Sequence, residues 1–505
     1  MEQTITLRTD DKVCTPCAAY DEMACTWELI DALLGGTRAM RDGSTDWLPM
    51  EPGEVEENYV VRLRRTVLFP GYSDAVRKLS SKPFERPVTL ANGNSLPELL
   101  KAIELDADSA KTPLTRFAGK VWHDAINRGL THVLVDFPER DKPTTTADVQ
   151  SGEVHPYFVH VPAESVIGWK SEIDQRTRRR VLSQVRILEV QETSGSEWTQ
   201  ESTRFVRVIE RDRIQLWQES TQKKDLFTLV KETPNELGEI PLVTVYFNQT
   251  GFMTAEPPLE NLAWLNLKHW QVSSDHSNIL HIASVPFLSE TGVASNKLNE
   301  KFVLAAGRVH RSSRSKTEYG IGWVEHTGAS VKAGSDEQRN LEEQMQLLGM
   351  QPMLDPSSPR TATEAGATRD ENHTTLKDWA QRLKQGLYEC YAMAARYGEG
   401  AAKTLPEKFD VNVFTEWQLS SGDAAGMDRI DRMFDRGVIS KKRYALEAER
   451  RGLFGEDFDF EKEQQEIADE APPQPTPEQM LELERLRLAR NGAQPPAGSV
   501  VSGAA

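Results

Sequence analysis

LLGMQPMLDPSSPRTATEAGATRD, residues 347–370, is the stretch on which the assembly of the whole chain turns. Two segments of helical character meet here at a loop holding Pro352, Pro356 and Pro359. The helix beyond the loop, expected from Thr361 to Tyr397, has two unlike halves. Leu376, Trp379, Leu383, Leu387, Tyr391 and Ala394 recur at three- and four-residue steps, the spacing of one buried face. Residues 361–375 offer only Ala362, Ala365 and Ala367 besides polar and charged groups. Helices in proteins are held mainly by packing an apolar face. A half without one needs an outside surface, such as a neighbouring subunit, to position it.

Working outward, helical periodicity covers Ala18–Leu34, ending at Gly35-Gly36, and resumes near Glu54–Leu68 and Gly71–Leu79. In the next helix Thr112 is placed to cap, Pro113 to occupy the first turn and Gly129 to stop it, with Leu114, Phe117, Val121 and Ala125 on one face. From Thr131 the period changes. THVLVDF, YFVHV, VLSQVRILEV, RFVRVIE, DLFTLV and PLVTVYF predict an antiparallel β region over 131–247. QRTRRR, with Arg176, Arg178, Arg179 and Arg180, reads as a solvated hairpin tip in preference to a phosphate patch. Helix returns over Pro258–Ala283, then a compact segment 286–333, then a helix over Asp336–Leu348.

The bulk numbers bound the class. A chain of 505 residues exceeds one ordinary core, so two or more domains are expected. No run approaches eighteen apolar residues, so no membrane partner is expected, and MEQTITLRTDDK lacks the basic and apolar regions of a secretion signal. The net charge of −17 opposes generic DNA binding, whose affinity comes from clustered Lys and Arg. Cys14, Cys17 and Cys25 include a C-x-x-C, but a structural zinc wants four ligands and no His lies nearby; reduced thiols without metal are the better reading.

Catalytic signatures are missing. His269 and His276 share a helix face but lie about 10 Å apart, His276 and His281 point to separate faces, and His155 and His160 would straddle a strand. There is no phosphate loop, no G-x-S-x-G elbow and no H-E-x-x-H. Neither catalytic residue nor cofactor is expected. Two alternatives stay open. DRIDRMFDRGVISKKRYALEAERRGL (within 428–452) has the shape of a DNA-reading helix-turn-helix regulator, with Lys441, Lys442 and Arg443 opening its second helix. Scattered carboxylates could also assemble a metal-dependent nuclease.

The order of GGTRAM, WLP, KPFERP, PPLENLAWLNLKHWQVSSDHSNIL, SVPFLSETG, LEEQMQLLGMQPM, TATEAGATRDENHTTL, KFDVNVF and RGVISKKRYALEAERRGL resembles the portal proteins of tailed bacteriophages, across residues 20 to 470. That resemblance implies an α+β, mainly α fold with wing, stem, clip and crown, assembled as a ring of twelve at one capsid vertex. The wing would take 1–255 and return over 398–425. Stem helices would take 256–285 and 334–349, flanking a clip at 286–333. A tunnel loop would take 350–361, a wing-spanning helix 362–397, crown helices 426–490 and a disordered tail 491–505.

By the same resemblance the chain would be a non-enzymatic virion protein, assembled in the host cytoplasm, through which double-stranded DNA is packaged and ejected. Expected partners are copies of itself, that DNA, the terminase large subunit, head–tail adaptors, and major capsid and scaffolding proteins. Gln351, Pro356, Ser357, Ser358, Arg360, Thr361 and Glu364 would face the channel. Arg308, His310, Arg311, Arg314 and Lys316 would form a docking surface on the clip. Twelve copies would carry a formal charge of 12 × −17, which lets a polyanion slide where a basic bore would grip it. The half-helix without an apolar face would then pack against identical neighbours around that channel.

Overall fold

The computed structural model describes residues 12–138, 155–194, 198, 200–220, 225–283, 287–291, 320–324, 329–349, 362–398, 403–415, 424–450 and 460–469. The chain divides into two units, Met1–Thr415 and Glu416–Ala505.

The first unit begins with helices α1 (Ala18–Leu34), α2 (Gly36–Asp42), α3 (Glu56–Arg65) and α4 (Gly71–Ser81). A short strand β1 (Thr89–Ala91) leads to α5 (Glu98–Leu105) and α6 (Leu114–Arg128). Leu114, Phe117, Val121 and Ala125 of α6 are all buried. Thr112 does not cap this helix: Pro113 occupies the cap position, without a side-chain bond. The Thr112 side chain bonds Asp108 instead. Gly129 ends α6 at φ 82°, and a Cβ there would stand 2.2 Å from the Glu256 carbonyl oxygen, so only glycine fits.

The β region follows as β2 (Leu130–Asp136), β3 (Tyr157–Val161), β4 (Val166–Ile173), β5 (Arg180–Ser194), β6 (Gln200–Glu210), β7 (Arg213–Glu219), β8 (Phe227–Pro234) and β9 (Leu242–Tyr246). It is antiparallel, as the alternation predicts, but it forms two sheets. β2 lies between β3 and β9 in one, and β4 to β8 make a meander in the other. The run LTHVLVD of β2 is buried along nearly its whole length, because both faces are covered. VIGWKSEI and RIQLWQE add strands absent from the expected set; their mixed polar pattern hides the alternation. QRTRRR forms the exposed tip between β4 and β5, with Asp174 accepting from the Arg176 and Thr177 amides.

Two short strands, β10 (Gln249–Gly251) and β11 (Thr254–Ala255), precede α7 (Glu260–Ala283). Strands β12 (Phe287–Thr291) and β13 (Gly320–Val324) pair as a ribbon, and α8 spans Ala329–Leu348, starting seven residues before the expected Asp336. Helix α9 runs from Ala362 to Ala395, and β14 (Asp410–Asn412) then pairs with β1. The second unit holds α10 (Ala424–Asp435), α11 (Lys441–Arg450) and α12 (Phe460–Asp469).

Candidate functional site

Helix α9 shows how the first unit grips a long element. Leu376, Trp379, Ala380, Leu383, Leu387, Cys390, Tyr391 and Ala394 are buried, as the three- and four-residue spacing predicts. Trp379 stacks on Phe247 with centroids 5.5 Å apart and meets Trp122 edge-on at 6.4 Å. Tyr391 meets Phe158 and Phe409 at 5.6 and 5.3 Å. Gly386 lets the helix approach β9, since a Cβ there would lie 2.5 Å from a Val245 methyl. Burial pushes the Cys390 thiol and the Tyr391 hydroxyl up, so both stay neutral. Residues 362–373 carry the same helix onward for roughly three turns toward its N-terminus.

Helices α7 and α8 form an antiparallel pair closed at the far end by the β12–β13 ribbon. Lys268 pairs with Glu337 at 3.3 Å, His269 with Glu342 at 3.4 Å, and Ser335 bonds His276 at 3.3 Å. From His269 to His276 along α7 the partner on α8 falls from Glu342 to Ser335, as antiparallel helices require. Gly334 allows the close approach, because a Cβ there would lie 2.4 Å from the His276 ring. At the base of the pair, Asn266 accepts from the Tyr72 amide at 2.8 Å and donates to the Phe69 carbonyl at 3.0 Å. Met345 and Gly349 seat the end of α8 against Gly71 and Ala75 of α4.

A buried arginine holds α3 to the middle of α7. Arg62 makes two bonds to Glu54, at 2.9 and 2.8 Å, and donates to the Pro49 carbonyl at 3.0 Å. It also reaches Ser274 at 3.3 Å and Asp275 at 3.5 Å, while Thr66 donates to Ser274 at 2.9 Å. Its bonds to Glu54 raise the Arg62 pKa and lower that of Glu54. Desolvation raises Asp275 despite the arginine beside it. Periodicity does not mark Arg62, since a charged residue at a buried helical position looks like a break in the pattern; the signal is Glu54 eight residues upstream.

Among the described residues, the histidines singled out by the sequence sit in packed or hydrogen-bonded positions. His269 and His276 lie in the α7–α8 seam, and burial lowers the pKa of His269. His155 precedes β3 and bonds the Asp106 carbonyl. His160 approaches Asp124 at 3.5 Å and Thr131 at 3.0 Å. Burial alone would raise Asp124, but the bonds from His160 and Thr131 outweigh it and hold its carboxyl below the usual range. His132 is buried against Thr244 at 2.9 Å, and desolvation brings its pKa down to about 3. Among the described residues no three metal-ligating side chains converge. Cys14 approaches the Asp225 carbonyl, whereas Cys25 is exposed on α1.

Helices α10 and α11 do make a helix–turn–helix, with Gly437 at φ 68° and the Arg443 amide donating to Ser440 Oγ at 3.2 Å. Phe434 packs on Tyr444, whose hydroxyl donates to Asp431. Lys442 is paired with Glu461 and Arg443 with Glu447, so two of the three cations expected to meet a phosphate backbone already face carboxylates. A cleft of about 310 Å³ beside β7 holds Arg207, which Glu189 and Asp136 neutralise.

Gln351, Pro356, Ser357, Ser358, Arg360 and Thr361 lie outside the described residues, as do Arg308, His310, Arg311, Arg314 and Lys316. Glu364 falls within α9. The structure thus describes the elements on both sides of each segment: α8 and α9 around one, the ribbon around the other.

A family model described as a domain of unknown function, DUF4055, matches residues 258–398, the stretch from α7 to the end of α9. No curated protein matches. Among solved structures, a chain from the neck of an empty GTA particle with C6 symmetry aligns at TM-score 0.40 and 10% identity, over 75% of this chain and 90% of that one. A chain from the virion of a native gene transfer agent particle gives 0.39 and 9%, over 81% and 98%. A chain from the neck of a native GTA particle with C12 symmetry gives 0.38 and 10%, over 75% and 89%. No helix among the described residues is long and apolar enough to cross a membrane.

Proposed function

We propose that this chain is a portal-type structural protein that assembles into a ring, of twelve copies, at one vertex of a phage capsid. Double-stranded DNA would pass through the ring during packaging and ejection, with no chemistry performed on it. In this reading the body up to β11 is the wing, and α7 and α8 are the stem. Residues 286–333 are the clip, residues 350–361 are the tunnel loop, residues 398–425 return to the wing, and residues 426–490 are the crown. The clip arginines Arg308, Arg311 and Arg314, with His310 and Lys316, would dock the terminase large subunit and later the head–tail adaptors. The wing would meet capsid and scaffolding proteins.

One observation carries the reading. Helix α9 is gripped by its own subunit from Leu376 onward, yet it continues through residues 362–373, whose sequence supplies no large apolar side chain. A helical extension of that composition needs neighbours to hold it, and its Ala362, Ala365, Gly366 and Ala367 suit close lateral packing. The antiparallel pair α7–α8, capped by a ribbon and leading directly to that segment, supports the same assignment. Native mass spectrometry of the purified chain, with negative-stain imaging, tests it. Closed rings of about a dozen copies are expected; a solitary, folded protomer at every concentration and salt would overturn it.

A further inference from the structure

A basic island stands out on this acidic chain. Arg41 donates to the Thr66 carbonyl through Nε and Nη2, at 3.2 and 2.8 Å, and the Leu68 amide donates to Thr37 Oγ1 at 3.1 Å. These bonds bring α2, with Arg41 and with Arg38 already paired to Asp42 at 3.8 Å, beside the end of α3, with Arg64 and Arg65. Arg64 and Arg65 are exposed, and among the described residues neither enters an ion pair. Val61 and Val67 beside them are 43% and 62% exposed. The opposite character marks α1, whose sequence contains no Lys or Arg. Glu22, Cys25, Glu28 and Asp31, at three-residue steps, are its exposed residues there, with Asp21 beside them. Arg128, which Asp31 and Glu164 share, is buried beneath this surface and leaves its sign negative.

We propose that the island on α2 and α3 docks against the acidic side of α1 in a second copy of this chain, a contact that rests on the ring reading above. The exposed valines among the arginines suit a protein surface, because phosphate contacts use cations and polar groups while protein interfaces combine arginine with apolar side chains. The two surfaces differ, so their pairing is head-to-tail, the arrangement that closes a ring, whereas a two-fold dimer would pair like with like. Opposite charge sets the register and the encounter rate of such a joint, and like charge there opposes it.

The test is a charge swap in the full chain, read as the concentration at which assembly is half complete by native mass spectrometry and light scattering. Arg64→Glu with Arg65→Glu is expected to raise that concentration by about tenfold or more. Adding Glu22→Arg with Glu28→Arg to the same chain should bring it back most of the way. Arg64→Gln with Arg65→Gln removes charge without adding any, and should give a smaller shift in the same direction with an unchanged circular dichroism spectrum. An unmoved midpoint in the reversal, or a loss that the swap leaves unrestored, would overturn the contact while the ring reading stands. A wild-type chain that never assembles would overturn both. Binding of a short DNA duplex that disappears in Arg64→Glu/Arg65→Glu would reassign the island to nucleic acid.

Discussion

The slot that holds α9 and the seam that holds α7 are both buried helix contacts, but they are built from opposite materials. The slot is lined mainly by apolar and aromatic side chains: Trp379, Leu383, Leu387 and Tyr391 are buried there, with Trp379 and Tyr391 meeting Trp122, Phe247, Phe158 and Phe409. The seam is polar, with Arg62, Asn266, His269, Ser274 and His276 buried along it and carboxylates at its rim. Apolar burial is strong and nondirectional. Buried hydrogen-bonded groups add less net stability but penalise every misplaced register. The difference teaches a division of labour: the slot supplies adhesion for a helix that must project beyond its own core, and the seam sets the height and rotation of a helix pair.

Emptying the slot should have the largest effect. Trp379→Ala is expected to cost about 3–5 kcal/mol, seen as faster hydrogen exchange across α9 and β9 with the α3–α7 amides little changed. Exchange accelerated equally in both places would dissolve the distinction.

Breaking the seam comes next. Glu54→Gln leaves the buried Arg62 with Asp275, at 3.5 Å, as its remaining ion-pair partner and should cost about 1–3 kcal/mol, reported by the amides of α3 and the middle of α7. If protection there is unaltered, the clasp is packing and its charges are incidental.

Acid sharpens the contrast. Glu54 has a folded pKa below its unfolded value, so its contribution is present above about pH 4.5 and lost as pH falls through the folded value. His132, brought down to about 3, behaves the same way for a different reason. Below about pH 6.5 the unfolded chain takes up a proton that the folded chain refuses, so stability falls by about 1.4 kcal/mol per pH unit until about pH 3. Denaturation profiles at pH 7, 5 and 4 should show that slope, and His132→Gln should flatten it between pH 6 and 4; an equal slope in the variant removes the assignment.

The smallest effect expected is the difference between two alanines. Gly386→Ala drives a methyl into Val245 and Gly334→Ala drives one into the His276 ring. Overpacking costs about 1–3 kcal/mol in a rigid core, and the helix recovers up to about 1 kcal/mol from losing glycine. Gly386→Ala should therefore destabilise clearly, and Gly334→Ala by about 1 kcal/mol or less, because a ring held by its bond to Ser335 turns more readily than a β-branched core residue. The reverse order in paired denaturation curves would mean that the polar seam is the stiffer of the two.

Periodicity alone determined a good deal of this protein. The face Leu376–Ala394, the bounds of α1, the glycine stop of α6 and the antiparallel character of 131–247 all follow from local spacing, because apolar side chains must share one side of a helix or alternate along a strand. So does the helix–turn–helix around Gly437 and Ser440. What tertiary structure decided was every contact made between segments distant in sequence. The division of the strands into two sheets, the added strands β4 and β7, the release of Thr112 from its capping role and the burial of Arg62 and His132 depend on which surfaces meet across 20 to more than 200 residues of chain. Local spacing records which side of an element is greasy; whether a charged group on that side finds its partners depends on folding the rest of the chain around it.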